Sequence, residues 1–110
     1  MHRCLQWLAV GLIVLTTAAS ANAQEPATQD PKKVAAGAAT YSDYCSTCHG
    51  DDLINSGRTY DLRRFKADER PRFENSVLNG KNQMPPWKGV ITPEQIDTLW
   101  AYIRANAYER

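Results

Sequence analysis

The chain has 110 residues, with 13 lysines and arginines against 12 aspartates and glutamates, for a formal charge of +1. That length holds one small domain, and the near-neutral balance excludes the basic excess a nucleic-acid-binding surface needs. A domain this small often depends on a staple beyond its apolar core, and the three cysteines are the place to look for one.

The first 23 residues read as a leader and not as part of the domain. Met1-His2-Arg3 is basic, Trp7 to Leu15 is an apolar run, and Ala21-Asn22-Ala23 supplies small residues at a cleavage site. This is the pattern of a secretory signal peptide. The apolar run falls short of the roughly 20 residues a membrane-spanning helix needs, so no stable membrane insertion is expected. Cleavage after Ala23 removes Arg3 and no acid, which leaves 12 basic and 12 acidic side chains and no net formal charge. The expected site of the mature protein is the periplasm.

Residues 24–31 are polar, contain Pro26 and Pro31, and form a flexible arm; residues 32–110 form the domain. A first helix is expected from Asp30-Pro31, because Asp is a good N-cap and Pro is tolerated in the first turn. Val34, Ala38, Tyr41 and Cys45 follow at helical spacing. Gly37 costs such a helix about 1 kcal/mol against Ala, which implies that another backbone comes close there. From Gly50 to Lys66 no period survives, and Asp51, Asp52, Asn55, Ser56 and Gly57 are turn formers. A second helix is expected over Glu69 to Asn79, with Phe73, Val77 and Leu78 inward and Gly80 ending it. Gln83-Met84-Pro85-Pro86-Trp87 cannot be helix interior. In the last helix Thr92 and Gln95 make a capping box around Pro93. Ile96, Leu99, Trp100 and Ile103 then form one apolar stripe. The fold class is all-α, three to four helices with long loops.

Cys45-Ser46-Thr47-Cys48-His49 carries the chemistry. With Cys4 gone, two cysteines remain, too close in sequence to close a useful disulfide loop. An exported CxxC followed at once by His points to covalent heme attachment. Two cysteines at this spacing can both reach one edge of a porphyrin, and the adjacent His49 can then present its Nε2 to the iron. Zinc would ask for four ligands, and no second pair follows. A redox CxxC belongs at a helix start after a strand, and no strand is visible. One heme c, bound through Cys45 and Cys48, is the staple.

The second iron ligand is approached by elimination. His2 and Met1 leave with the leader, so His49 and Met84 are the mature histidine and methionine. Met84 sits in a proline-locked loop and not on an amphipathic face, which favours ligation over core filling. Lys81, Lys88, water or an open site are the alternatives.

Three segments together resemble the class I cytochrome c family: Tyr44-Cys45-Ser46-Thr47-Cys48-His49-Gly50, Gly80-Lys81-Asn82-Gln83-Met84-Pro85, and Leu99-Trp100-Ala101-Tyr102-Ile103. The resemblance spans roughly Lys32 to Asn106. It implies the cytochrome c fold, with the first and last helices crossing near Gly37 and Tyr102 and Tyr41 packed beside the crossing. It also implies a heme crevice with one edge exposed. Many members carry Pro-Asp-Leu or Pro-x-Leu after the heme motif, and the Pro carbonyl accepts a hydrogen bond from the ligand His. Here Tyr60-Asp61-Leu62 stands in that place, so the residue that supplies the carbonyl is open.

Arg58, Tyr60 and Trp87 are candidate partners for the heme propionates. Simple packing is the alternative for Trp87 and a solvated charge for Arg58. Trp100 is expected in the core on the heme side of the last helix. Iron with two protein ligands suits electron transfer between redox proteins and not an enzyme active site. A heme sensor or peroxidase with a labile sixth ligand, and a heme subunit of a larger oxidoreductase, are the rival readings. Arg63, Arg64, Lys66, Arg70, Arg72, Lys81 and Lys88 form either a basic docking rim or a solvated surface. The stretch Tyr60 to Phe65, with Met84-Pro85-Pro86-Trp87 and Leu99 to Tyr102, is similar to cytochromes that accept electrons from quinoprotein (PQQ-dependent) alcohol dehydrogenases. That resemblance implies such a dehydrogenase as donor, a terminal oxidase as acceptor, and a monomeric carrier.

Overall fold

The computed structural model describes residues 30–109. The expected leader over 1–23 and nearly all of the arm over 24–31 lie outside the described residues. Four α-helices follow in order: α1 (Pro31–Tyr44), the single turn α2 (Ser46–His49), α3 (Arg70–Asn79) and α4 (Pro93–Ala105). Three short 3-10 turns occupy Asp51–Leu53, Leu62–Arg64 and Ala67–Glu69. Among the described residues there is no strand beyond two isolated bridges, Lys81 with Met84 and Lys88 with Ile91.

The caps read from the sequence are those formed. The Asp30 carboxylate accepts from the Lys32 backbone N–H at 2.9 Å and starts α1. At α4 the Thr92 hydroxyl accepts from the Gln95 N–H at 3.2 Å, and the Gln95 side chain accepts from the Thr92 N–H at 2.9 Å. Both satisfy donors that a helix start leaves unpaired. α3 begins at Arg70, one residue later than expected, because Ala67–Glu69 winds as a 3-10 turn before it. Gly80 ends α3 with φ of 74°, a left-handed conformation that Gly adopts without steric cost.

α1 and α4 cross at Gly37. A methyl group there would overlap the Thr98 carbonyl and come within 2.8 Å of the Tyr102 Cβ. The crossing therefore explains a helix-weakening glycine in the middle of α1. One turn on, the Tyr41 and Tyr102 rings lie 5.4 Å apart. The core gathers Tyr41, Leu53, Phe65, Phe73, Val77, Ile91, Ile96, Leu99, Trp100, Tyr102 and Ile103. Within it Phe65, Phe73 and Trp100 pack as a trio, each pair 5.2 to 5.9 Å apart, spacings at which edge and tilted aromatic contacts are favourable.

Side-chain bonds then tie the long loop to the helices. The Arg104 guanidinium donates to the Phe65 carbonyl, and the Tyr108 N–H donates to the Arg63 carbonyl at 3.0 Å. At the surface Asp97 of α4 accepts from Lys33 of α1 at 2.7 Å and from Arg70 of α3 at 2.9 Å. Arg70 also bonds Glu74 at 2.8 Å, so one ion network joins three helices.

Candidate heme site

The Cys45-x-x-Cys48-His49 motif is wound as one helical turn directly after α1. The Cys45 N–H bonds the Tyr41 carbonyl at 2.8 Å, and the His49 N–H bonds the Cys45 carbonyl at 2.9 Å. Cys45 is half-buried and Cys48 is exposed. Burial, and then the neighbouring Cys48, pushes the Cys45 thiol up to about 11. Gly50 closes the motif at φ of 88°, where a side chain would run into the Ile54 carbonyl. The buried Tyr41 hydroxyl donates to the Gly50 carbonyl, and its burial raises its own pKa to about 12. α1 thereby holds both ends of the motif.

The His49 ring is partly enclosed. Burial pushes its pKa below the ordinary value, and a hydrogen bond with the Tyr60 carbonyl pulls in the opposite direction. Tyr60-Asp61-Leu62, the segment standing in the Pro-x-Leu place, thus has its first residue's backbone near the histidine. The Thr59 hydroxyl lies 3.2 Å from His49 Nδ1 as well. No sequence pattern pointed to Thr59, because it sits in a loop without a period.

Met84 reaches the same cleft as His49 on a tight turn. Lys81 and Met84 exchange backbone hydrogen bonds of 3.1 and 3.0 Å, with Asn82 between them at φ of 54°. A side chain on Gly80 would come within 2.6 Å of the Met84 carbonyl. Beyond the two prolines the Trp87 and Lys88 N–H groups bond the Val77 and Leu78 carbonyls at 2.9 and 3.2 Å. These bonds satisfy the open carbonyls at the end of α3 and anchor the loop at both ends.

The motif and the Met84 loop face one cleft, about 380 Å³ when the open solvent at its mouth is counted, walled by Tyr41, Cys45, His49, Leu62, Phe73, Ser76, Val77, Met84, Leu99 and Ile103. Cys45 and His49 of the motif and Met84, 35 residues beyond His49 along the chain, therefore share one apolar cavity. The residues fit a heme: a thiol of the kind that can attach one, an imidazole and a thioether of the kinds that can ligate its iron, and hydrocarbon walls for the ring. Sulfur and imidazole are among the ligand types that hold heme iron.

The other candidates lie elsewhere. Arg58 is exposed. The Tyr60 ring packs on Phe65 at 5.2 Å, with the Arg72 guanidinium 4.9 Å from its centre. Trp87 is half-buried against the Tyr44 ring at 5.4 Å. Trp100 is in the core as expected, but α4 presents Leu99 and Ile103 to the cleft and Trp100 to the Phe65 and Phe73 rings. One residue along a helix is a rotation of about 100°, enough to separate those faces.

An all-helical fold closed by a terminal helix crossing, with a CxxCH turn and a methionine lining one apolar cleft, defines a c-type cytochrome. A family model described as cytochrome c oxidase, cbb3-type, subunit III matches residues 32–103, and the chain belongs to the cytochrome c family. Cytochrome c6 of Nostoc sp. is 36% identical over 76 residues, which cover 64% of this chain and 68% of that protein. Quinohemoprotein alcohol dehydrogenase ADH IIB of Pseudomonas putida is 33% identical over 88 residues, covering 77% of this chain and 13% of that protein. The solved structure of quinohemoprotein alcohol dehydrogenase ADHIIG from Pseudomonas putida HK5 matches with a TM-score of 0.64 and 33% identity, over 71% of this chain and 12% of that one. The chain thus spans about an eighth of the length of the dehydrogenases it matches. Family membership carries covalent heme and electron transfer. Among the described residues no helix is long and apolar enough to cross a membrane.

Proposed function

We propose that this chain is an exported, monomeric electron carrier with one heme c, attached through Cys45 and Cys48 and ligated by His49 and Met84. The observation that carries the reading is the convergence of Cys45, His49 and Met84 on one apolar cleft. When bound, the heme supplies a one-electron Fe(II)/Fe(III) couple. His49 and Met84 would hold the iron between them and leave no site for oxygen or peroxide, which makes the chain an electron carrier and not an enzyme. The Met84 thioether raises the potential relative to harder ligands, and the hydrocarbon walls keep water from the iron. Cys48 is exposed, so the attachment edge reaches the surface where a redox partner can approach.

The leader over residues 1–23 directs the chain to the periplasm. The likeness to quinohemoprotein alcohol dehydrogenases favours a quinoprotein alcohol dehydrogenase as electron donor, with a terminal oxidase as acceptor. Of the seven cations that could form a docking rim, Arg63, Arg70 and Arg72 are paired with acids. Lys81 and Lys88 flank the Met84 loop and form no ion pair among the described residues.

Optical and magnetic-circular-dichroism spectra of both oxidation states, with a redox titration, test the site. A c-type spectrum with the near-infrared methionine-to-iron band supports it. Rapid carbon monoxide binding by the ferrous protein at neutral pH favours the sensor or peroxidase reading instead. Reduction by such a dehydrogenase with alcohol, above a free-dye control, tests the donor.

A further inference from the structure

Taking His49 as the iron ligand, the geometry points to the Thr59 hydroxyl as a positioning residue that fixes the ring tautomer and tunes how strongly the ring donates to iron. We propose this role from the hydrogen-bond inventory around one oxygen.

Thr59 Oγ1 lies 3.3 Å from the Cys48 carbonyl and 3.2 Å from His49 Nδ1. A carbonyl only accepts, so the hydroxyl proton points at Cys48. A hydroxyl has one proton, so toward Nδ1 it presents a lone pair. Nδ1 must then carry the ring proton, and Nε2 carries the free lone pair a metal requires. The reverse tautomer would set the Cys48 carbonyl and an Nδ1 lone pair against a single hydroxyl proton, leaving one of the two contacts without a proton.

The loop holds Thr59 for this task. The Asn55 side-chain amide donates to the Thr59 carbonyl at 3.1 Å. The same side chain accepts from the Gly57 N–H at 3.0 Å. Thr59 is thus pinned through its backbone by Asn55, and its hydroxyl bridges two consecutive residues of the CxxCH motif. An acceptor on the distal ring nitrogen raises the basicity of a metal-bound histidine and fixes its orientation. A more basic ring favours ferric iron, so the Thr59 hydroxyl holds the potential down.

The test uses the heme-loaded protein. Thr59→Val keeps the branched shape and deletes the hydroxyl; Thr59→Ser keeps the hydroxyl. The Val variant should show a raised midpoint potential and faster solvent exchange of the His49 Nδ1–H in the ferrous NMR spectrum. The Ser variant should return both toward wild type. A Val variant with wild-type potential and exchange overturns the proposal. If Thr59→Val fails to assemble, the wild-type ferrous protein decides: a cross-peak between the His49 Nδ1–H and the Thr59 methyl supports the role, and its absence overturns it. A wild-type spectrum without histidine-ligated c-type heme would instead refute the site assignment itself, before any variant is made.

Discussion

Gly37→Ala perturbs a place where the α1 backbone lies against the Thr98 carbonyl of α4. In an isolated helix the change would stabilise by about 1 kcal/mol. Here the new methyl overlaps the Thr98 carbonyl and crowds the Tyr102 Cβ. Overpacking costs about 1–3 kcal/mol, and the upper end applies because a carbonyl in mid-helix cannot rotate aside. The net loss is about 2 kcal/mol. For a domain of this size each kcal/mol moves Tm by about 4–8 °C, so Tm should fall by about 8–16 °C. Circular dichroism at 222 nm on the heme-loaded wild type and variant measures this. Separation of the helices also parts two walls of the cleft, Tyr41 and Cys45 from Leu99 and Ile103. A variant melting at or above the wild-type temperature would refute the claim that the crossing demands glycine.

Met84→Ala should abolish the near-infrared methionine-to-iron band and lower the potential; an unchanged spectrum rules out Met84 as ligand. Tyr41→Phe removes the hydrogen bond to the Gly50 carbonyl and should cost about 1 kcal/mol, read as a lower denaturant midpoint with an unchanged slope. Asp97 is held below its ordinary value of 3.8 by Lys33 first and Arg70 second. Its contribution is therefore present above pH 3.8 and lost as pH falls through the depressed folded value. The stability gap between wild type and Asp97→Asn should close on acidification and narrow in salt, since the carboxylate is over a third exposed; a gap indifferent to both argues that the ion network is inert.

The helices were legible because their signals are local. Asp30-Pro31 and Thr92-Pro93-x-Gln95 are caps, and a cap is decided within four residues. The CxxCH motif was legible for the same reason. Met84 was reached by elimination and not by pattern, and the bonds that hold its loop reach back to α3. The loop from Gly50 to Lys66 was opaque. Its shape rests on Leu53, which is 1% exposed and sits at φ of 62°. Left-handed backbone costs a non-glycine residue about 1–2 kcal/mol, so burial of the leucine side chain, worth about 1.5–3 kcal/mol, is what offsets it. No rule of local propensity anticipates that exchange. The same loop hides Thr59, whose role depends on which atoms meet and not on which residues neighbour it in the chain.

The closing of the fold by α1 against α4 has a consequence for how the protein is made. A ribosome delivers the CxxCH turn more than 40 residues before Pro93. Until α4 follows, Leu99 and Ile103 are absent and the cleft lacks a wall. Until α4 packs, then, the half-buried Cys45 faces a cleft with one wall missing. The element that encloses the site is made well after the site's own motif.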